Sequence, residues 1–384
     1  MYVMGKREVD AVRKVIRSGE LFRYLGGRVN AFTTRFERDL ARKIGTRYAI
    51  ATSSGTASLV SALVGLGVGP GDEVIVPGYT FIATALAVVA AGAVPVLAEV
   101  DASLTLDPED VRRKITRHTR AIIPVYMLGL PCDMAAILRL ARRHGLDVLE
   151  DAAQAAGGSY RGRRFGSLGK AGALSFNHYK IIACGEGGAL VTSDRTVFER
   201  AMLYHDGGCS FFLKKAPSVP IFAGLNFRIS EVHSAILYEQ LKRLDGILSR
   251  LRARKAAMAD AVRRATAFRA SPNHDPRGDC ATYLPLLFES AREAIAFAKR
   301  HAGRAFLYRP IDTGRHVYSN WEAILGQRAH HRGASPWRLS GRRYAYAKDM
   351  LPRTLDVLAR TVCVGVPLGA TVAQARALAR KFLG

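Results

Sequence analysis

The chain has 384 residues, with 57 Lys and Arg against 32 Asp and Glu, giving a formal charge of +25 at pH 7. At 49% hydrophobic it has the composition of a globular protein, which excludes disorder over most of its length. The most apolar stretch, residues 83–100, is interrupted by Gly92, Pro95 and Glu99, which argues against a membrane span. Met1 to Glu8 lacks a charged-then-apolar leader, so a soluble cytoplasmic protein is expected.

Clustered cations would point to nucleic acid. Here 44 Arg and 13 Lys are spread over both halves, and residues 51–100 contain none, so no nucleic-acid partner is expected. The five cysteines, Cys132, Cys184, Cys209, Cys280 and Cys363, lie far apart and form no C-x-x-C pair. They read as free thiols, with neither a metal site nor a disulfide framework expected.

In chain order, Tyr48 to Thr52, Glu73 to Val76, Val94 to Glu99, Ala121 to Tyr126 and Asp147 to Leu149 read as strands. Helical patterns such as Ala57 to Gly67 and Met134 to His144 lie between them. That alternation predicts an α/β fold with a mostly parallel central sheet and helices on both faces, whose ligands collect at the carboxyl ends of the strands. A long helical pattern begins at Ser230 and runs through Leu241 and Leu244 toward Leu251. Beyond it come a strand, Tyr283 to Phe288, a helix, Ala291 to His301, and another near Thr371 to Leu383. The chain is expected to divide near residue 245, into a large domain, 1–245, and a smaller C-terminal α/β domain, 246–384. Residues 303–337 read as surface loops.

Three segments carry chemistry. Ser53 to Ser58 follows a strand and opens a helix with small residues, so its backbone N–H groups can approach a phosphate closely; an ordinary Ser or Thr N-cap is the alternative. Val148 to Gln154 is an apolar strand ending in two carboxylates, and a buried carboxylate there needs a partner such as a protonated ring nitrogen. The alternative is Asp151 as an N-cap. Ala173 to Lys180 is a strand-like run that ends in a lysine and precedes an apolar stretch. A desolvated lysine there loses basicity and can serve as a Schiff-base amine, whereas a snorkelling surface lysine is the alternative. Together, the order of cradle, acid and lysine, with 29 residues from Asp151 to Lys180, meets the needs of pyridoxal 5′-phosphate.

SSGTASL at 53–59, GDEVIVPGYTFIATA at 71–85, LEDAAQAAGG at 149–158, GRRFGSLGKAGALSFNHYK at 162–180, GEGGALVT at 185–192 and LNFRISEVHSAILYEQLKRLD at 225–245 resemble the DegT family of sugar aminotransferases. The resemblance spans nearly the whole chain. It implies the fold type I architecture of pyridoxal-phosphate enzymes, with pyridoxamine 5′-phosphate as the cofactor's alternate form. On the matching positions, Lys180 is the lysine that holds the cofactor and moves the proton. Asp151 pairs with the ring nitrogen, Gln154 lies near the phenolic oxygen, and Phe81 stacks on the ring. Gly55, Thr56 and Ser175 hold the phosphate. Asn226 reaches the phosphate of a neighbouring subunit, which implies a homodimer with shared sites.

The implied reaction moves an amino group from glutamate or glutamine to a keto sugar, a nucleotide keto sugar or a keto cyclitol, in antibiotic or surface-sugar biosynthesis. Dehydration or carbon–carbon bond formation on the same scaffold is the alternative, followed by a non-catalytic regulator. A branch of the family that eliminates water has histidine in place of the lysine, whereas Lys180 is present here. Residues 313–337, with His316, His330 and His331, match no motif and read as a solvated loop or a substrate lid.

Overall fold

The computed structural model describes residues 4–24, 31–209 and 216–382. Its thirteen strands, in chain order, are β1 Tyr48–Thr52, β2 Glu73–Pro77, β3 Val94–Ala98, β4 Thr119–Ile122, β5 Asp147–Asp151, β6 Ser159–Tyr160, β7 Arg163–Arg164, β8 Ala171–Ser175, β9 Gly188–Thr192, β10 Arg269–Ala270, β11 Tyr283–Leu287, β12 Leu307–Tyr308 and β13 Thr361–Gly365. Seven of them form the central sheet in the order β1-β9-β8-β5-β4-β2-β3. The pairs from β8 through β5, β4 and β2 to β3 are parallel. Only β9 runs against its neighbours β1 and β8. The fold is therefore α/β with a mostly parallel sheet, as the alternation of strand and helix predicts.

Side-chain alternation divides the core between the two faces of this sheet. Ile75 joins one apolar cluster while Val74 and Val76 join the other. Ala49 and Ala51 pack with the first cluster and Ile50 with the second. Such strands are buried on both faces, which is why they read as continuous apolar runs. β4 ends at Ile122, earlier than the expected Tyr126, because Pro124 has no N–H to donate to a ladder.

A second sheet, β10-β11-β13-β12, is antiparallel. The helix begun by Ser230 runs unbroken from Glu231 to Val262, its N-cap Ser230 accepting from the His233 amide. It packs on helices Lys6–Ser18 and Phe32–Ile44 of the large sheet's side and on helix Val372–Arg380 near the chain's end. Residue 245 thus lies inside one continuous helix. The C-terminal helix covers Val372–Arg380, and Leu383, like Met1 to Val3, lies outside the described residues.

Residues 303–337 depart from the surface-loop expectation. Val317, Tyr318 and Trp321 are fully buried and Trp337 nearly so, in the core cluster that also holds Val74 and Val76. The sequence pattern does not reveal this burial, because each turn is too short to show a helical period. Among the described residues, no helix is long and apolar enough to cross a membrane.

Candidate active site

β1 and β8 are both antiparallel to β9, so they run the same way as each other, and β8 is parallel to β5. The carboxyl ends of β1, β2, β5 and β8 therefore open on one edge of the sheet. That edge gathers residues 53–56, 78–84, Asp151 and 175–180.

Ser54 caps the helix Gly55–Gly65, its Oγ accepting from the Ala57 amide at 3.1 Å. The N-cap reading and the cradle reading hold together here. The cap uses the Ala57 amide, and the preceding amides of Gly55 and Thr56 have no acceptor among the described residues. A Cβ on Gly55 would lie 2.6 Å from Ser175 Cβ and 3.0 Å from its Oγ, so only glycine lets the end of β8 approach the helix start this closely. Gly55, Thr56 and Ser175 are thus brought to one place, at a helix N-terminus whose dipole favours an anion.

The two carboxylates that end β5 separate by strand alternation. Glu150 is fully buried and accepts from the amides of Gly166 at 2.8 Å, Leu168 at 2.6 Å and Gly169 at 2.6 Å, and from the Tyr126 hydroxyl. It pins the loop before β8. Asp151, 3% exposed, accepts from Thr84 Oγ1 at 2.8 Å through Oδ2 and from the Ala153 amide at 3.0 Å through Oδ1. Thr84 Oγ1 in turn lies 2.9 Å from Thr80 Oγ1. Burial pushes the Asp151 carboxyl above its ordinary range, against the Ala153 amide, the Thr84 hydroxyl and the charge of Lys180.

Lys180 closes a turn, its amide donating to the Asn177 carbonyl at 3.0 Å. Burial holds its ammonium below the ordinary lysine range, partly countered by Asp151 and Glu186. Lysine and aspartate are thus near enough to feel each other's charge, and desolvation pushes each toward its neutral form. A ring carrying a protonated nitrogen would restore the aspartate's charge.

Phe81, in the turn after β2, is 39% exposed. Its ring meets that of His316 at 5.5 Å between centroids and 54°. The Thr80 amide donates to the His316 carbonyl at 2.9 Å and the Ile82 amide to the Arg315 carbonyl at 3.0 Å. His316 also feels the charge of Lys180, which together with burial lowers its basicity. In the sequence this histidine lies in a stretch that matches no motif, and Thr80 and Thr84 carry no motif role of their own. The spacing of TFIAT, which puts both hydroxyls on one side of the helix start, was the available signal.

Gln154 is half-buried and accepts from the Leu128 amide at 3.0 Å through Oε1, which holds the turn after residue 126 against it. Asn226 is exposed, its Oδ1 accepting from the Arg228 amide at 3.2 Å. Its neighbour Phe227 accepts from the Ser53 amide at 2.8 Å, and among the described residues Asn226 makes no hydrogen bond to Lys180 or Asp151. The geometry fits pyridoxal phosphate: an open helix start with a glycine that no larger residue can replace, a buried carboxylate, a desolvated lysine and an exposed aromatic face.

The sequence model of the DegT/DnrJ/EryC1/StrS aminotransferase family matches residues 3–319. The chain belongs to this family. A GDP-perosamine synthase of Caulobacter vibrioides is 43% identical over 218 residues, which are 56% of this chain and 58% of that protein. An L-glutamine:2-deoxy-scyllo-inosose aminotransferase of Streptoalloteichus tenebrarius is 40% identical over 248 residues, 62% of this chain and 58% of that protein. The chain thus aligns with under two thirds of the length of these curated relatives. Over the fold as a whole, DesV of S. venezuelae, solved in complex with a ketimine intermediate, superposes with a TM-score of 0.80 at 29% identity, covering 98% of this chain and 94% of that one.

Proposed function

We propose that this family member is a pyridoxal-phosphate aminotransferase that moves an amino group from glutamate or glutamine to a keto sugar, a nucleotide keto sugar or a keto cyclitol. The observation that carries the reading is the meeting of Lys180, Asp151 and the Gly55–Ser175 cradle at one sheet edge. The names of the relatives, which concern a perosamine and a keto cyclitol, support the substrate class.

When bound, the cofactor supplies an electron sink and carries the amino group between its pyridoxal and pyridoxamine forms. The amides of Gly55 and Thr56 with Ser175 hold its phosphate, and Asp151 keeps its ring nitrogen protonated. Thr84 orients that carboxylate. Phe81 would stack on the ring, and Gln154 would lie near the phenolic oxygen. Lys180 holds the cofactor at rest. Burial lowers its basicity and so favours the neutral amine, which could accept a proton from the donor's α-carbon and return it. Reverse steps on the keto substrate complete the exchange.

The working form is a homodimer in which Asn226 reaches the neighbouring cofactor phosphate. Support comes from the exposed Leu21, Ile221 and Leu225 that accompany Asn226 at this surface. The protein works in the cytoplasm, on a pathway for an antibiotic or a surface sugar.

The test is the visible absorption of the purified protein with cofactor, before and after L-glutamine or L-glutamate. Loss of the band on adding a donor is expected, and in K180A only the band of the free cofactor should remain. A band that neither donor moves would replace aminotransfer by dehydration or carbon–carbon bond formation, and no band at all would leave the regulator reading.

A further inference from the structure

Residues 323–348 contain six Lys or Arg and no Asp or Glu. They lie beyond residues 3–319, the part matched by the family model. Elsewhere a number of cations have a carboxylate partner, as Arg23 has Glu37 at 2.7 Å and Arg228 has Asp206 at 2.6 Å. Here Arg342 alone has one, Glu73 at 3.5 Å. Arg328, Arg332, Arg338, Arg343 and Lys348 are exposed, and none has a carboxylate partner among the described residues.

Within this segment lies a cavity of about 470 Å³, lined by Gln327, Trp337, Arg338, Arg342, Arg343 and Tyr344 among others. That volume is within the roughly 300–1,000 Å³ typical of small-ligand sites. Its walls are held by hydrogen bonds that reach the central sheet. The Trp337 indole donates to the Tyr346 hydroxyl at 3.0 Å, which donates to the Pro95 carbonyl at 2.6 Å. Tyr344 donates to Glu73 Oε1 at 2.8 Å, and Gln327 Nε2 to the Tyr344 carbonyl at 2.8 Å. Arg342 Nη2 donates to the Gly71 carbonyl at 2.8 Å. The aromatic walls are therefore rigid, while the guanidinium groups of Arg338 and Arg343 are uncommitted.

These anchors also locate the cavity. Gly71 and Glu73 stand at the start of β2, whereas Phe81 and the candidate active site lie past its end at Pro77. The five-residue strand alone separates the two by about 13 Å. The cavity is on the opposite edge of the sheet.

We propose that this cavity is a second binding site, for a diphosphate-bearing ligand with a planar ring, of the size and chemistry of a nucleoside diphosphate. Arg338 and Arg343 grip the diphosphate, since a guanidinium fork matches phosphate oxygens bidentately. The ring rests on the aromatic wall of Trp337 and Tyr344.

The test is titration calorimetry of the cofactor-loaded protein at about 150 mM salt, near physiological ionic strength, with GDP, UDP and inorganic pyrophosphate as probes. Saturable binding of all three is expected, the nucleotides tighter than pyrophosphate. R338A/R343A, with R343Q as a milder second variant, should weaken it about tenfold or more, as loss of charge-assisted contacts implies. K180A should bind the probes unchanged, as expected of a cavity that shares no residue with the catalytic site, and the loss in R338A/R343A is what places the probes here. No binding, binding that survives R338A/R343A, or binding lost in K180A would overturn the proposal, and equal affinity for pyrophosphate and nucleotides would overturn the role of the ring.

Discussion

Thr84 is the sharpest point at which to test how the site works. Its hydroxyl donates to Asp151 Oδ2 at 2.8 Å, and the carboxylate's other bond comes from the Ala153 amide. Valine has the same shape, so T84V removes the donor without opening a cavity. A hydrogen bond to an ionised acceptor is worth about 1.5–3 kcal/mol, against about 0.5–1.5 kcal/mol for a neutral one. Without a cofactor, burial favours the neutral aspartate; opposite a protonated ring nitrogen the ion is required. The difference, about 1–2 kcal/mol, falls on cofactor binding and converts to an affinity about 5- to 30-fold weaker. The assay is titration of the cofactor-free protein with pyridoxal phosphate, followed by absorbance, for the natural chain, T84V and T84S. T84S keeps the hydroxyl and should stay close to the natural affinity. If T84V binds as tightly as the natural chain, or T84S loses as much as T84V, the hydroxyl does not hold the Asp151 charge and the reasoning fails.

Adjacent residues of β5 should separate stability from activity. E150A leaves three amides and a tyrosine hydroxyl without their acceptor and should cost at least about 3 kcal/mol in denaturant unfolding, whereas D151N should leave stability nearly intact and abolish turnover. G55A forces a Cβ to within 2.6 Å of Ser175 Cβ; overpacking of this kind costs about 1–3 kcal/mol, and both the thermal midpoint and cofactor affinity should fall. F81A removes ring stacking, worth about 0.5–1.5 kcal/mol beyond its area, together with the contact to His316, so cofactor affinity should drop by at least about two- to tenfold with the fold unchanged. His205, fully buried and against Arg23 at 3.1 Å, is held down to about 3 by burial and by the Arg23 charge. Between its ordinary 6.5 and about 3 the unfolded chain takes up a proton that the folded chain refuses. Stability should therefore fall as pH falls through that window, by at most about 1.4 kcal/mol per pH unit. Urea unfolding from pH 7 to 4 checks this, and H205Q should flatten the slope.

Local chemistry was enough to read the strands β1 to β5, their parallel order and three segments of the site. Apolar runs buried on both faces, broken by Gly, Pro and Asp, leave few alternatives, and SSGT, ED and the lysine after β8 each carry a recognisable need. The sequence also determined that Gly55 is small, but not why. Only the tertiary structure showed Ser175 Cβ against it, since that contact joins residues 120 positions apart.

Three further decisions belonged to the fold. Glu150 and Asp151 are equivalent in composition, and strand alternation sends one to the loop amides and the other to the site; which is which depends on the layer each face meets. Thr84 acquires its role because the helix start after β2 lies beside the end of β5, a neighbour two strands away in the sheet. Residues 303–337 read as loop in the sequence because their turns are too short for periodicity. Packing of Tyr318, Trp321 and Trp337 into the core brings His316 beside Phe81 and forms the arginine-lined cavity at the far edge, through contacts that no local pattern encodes.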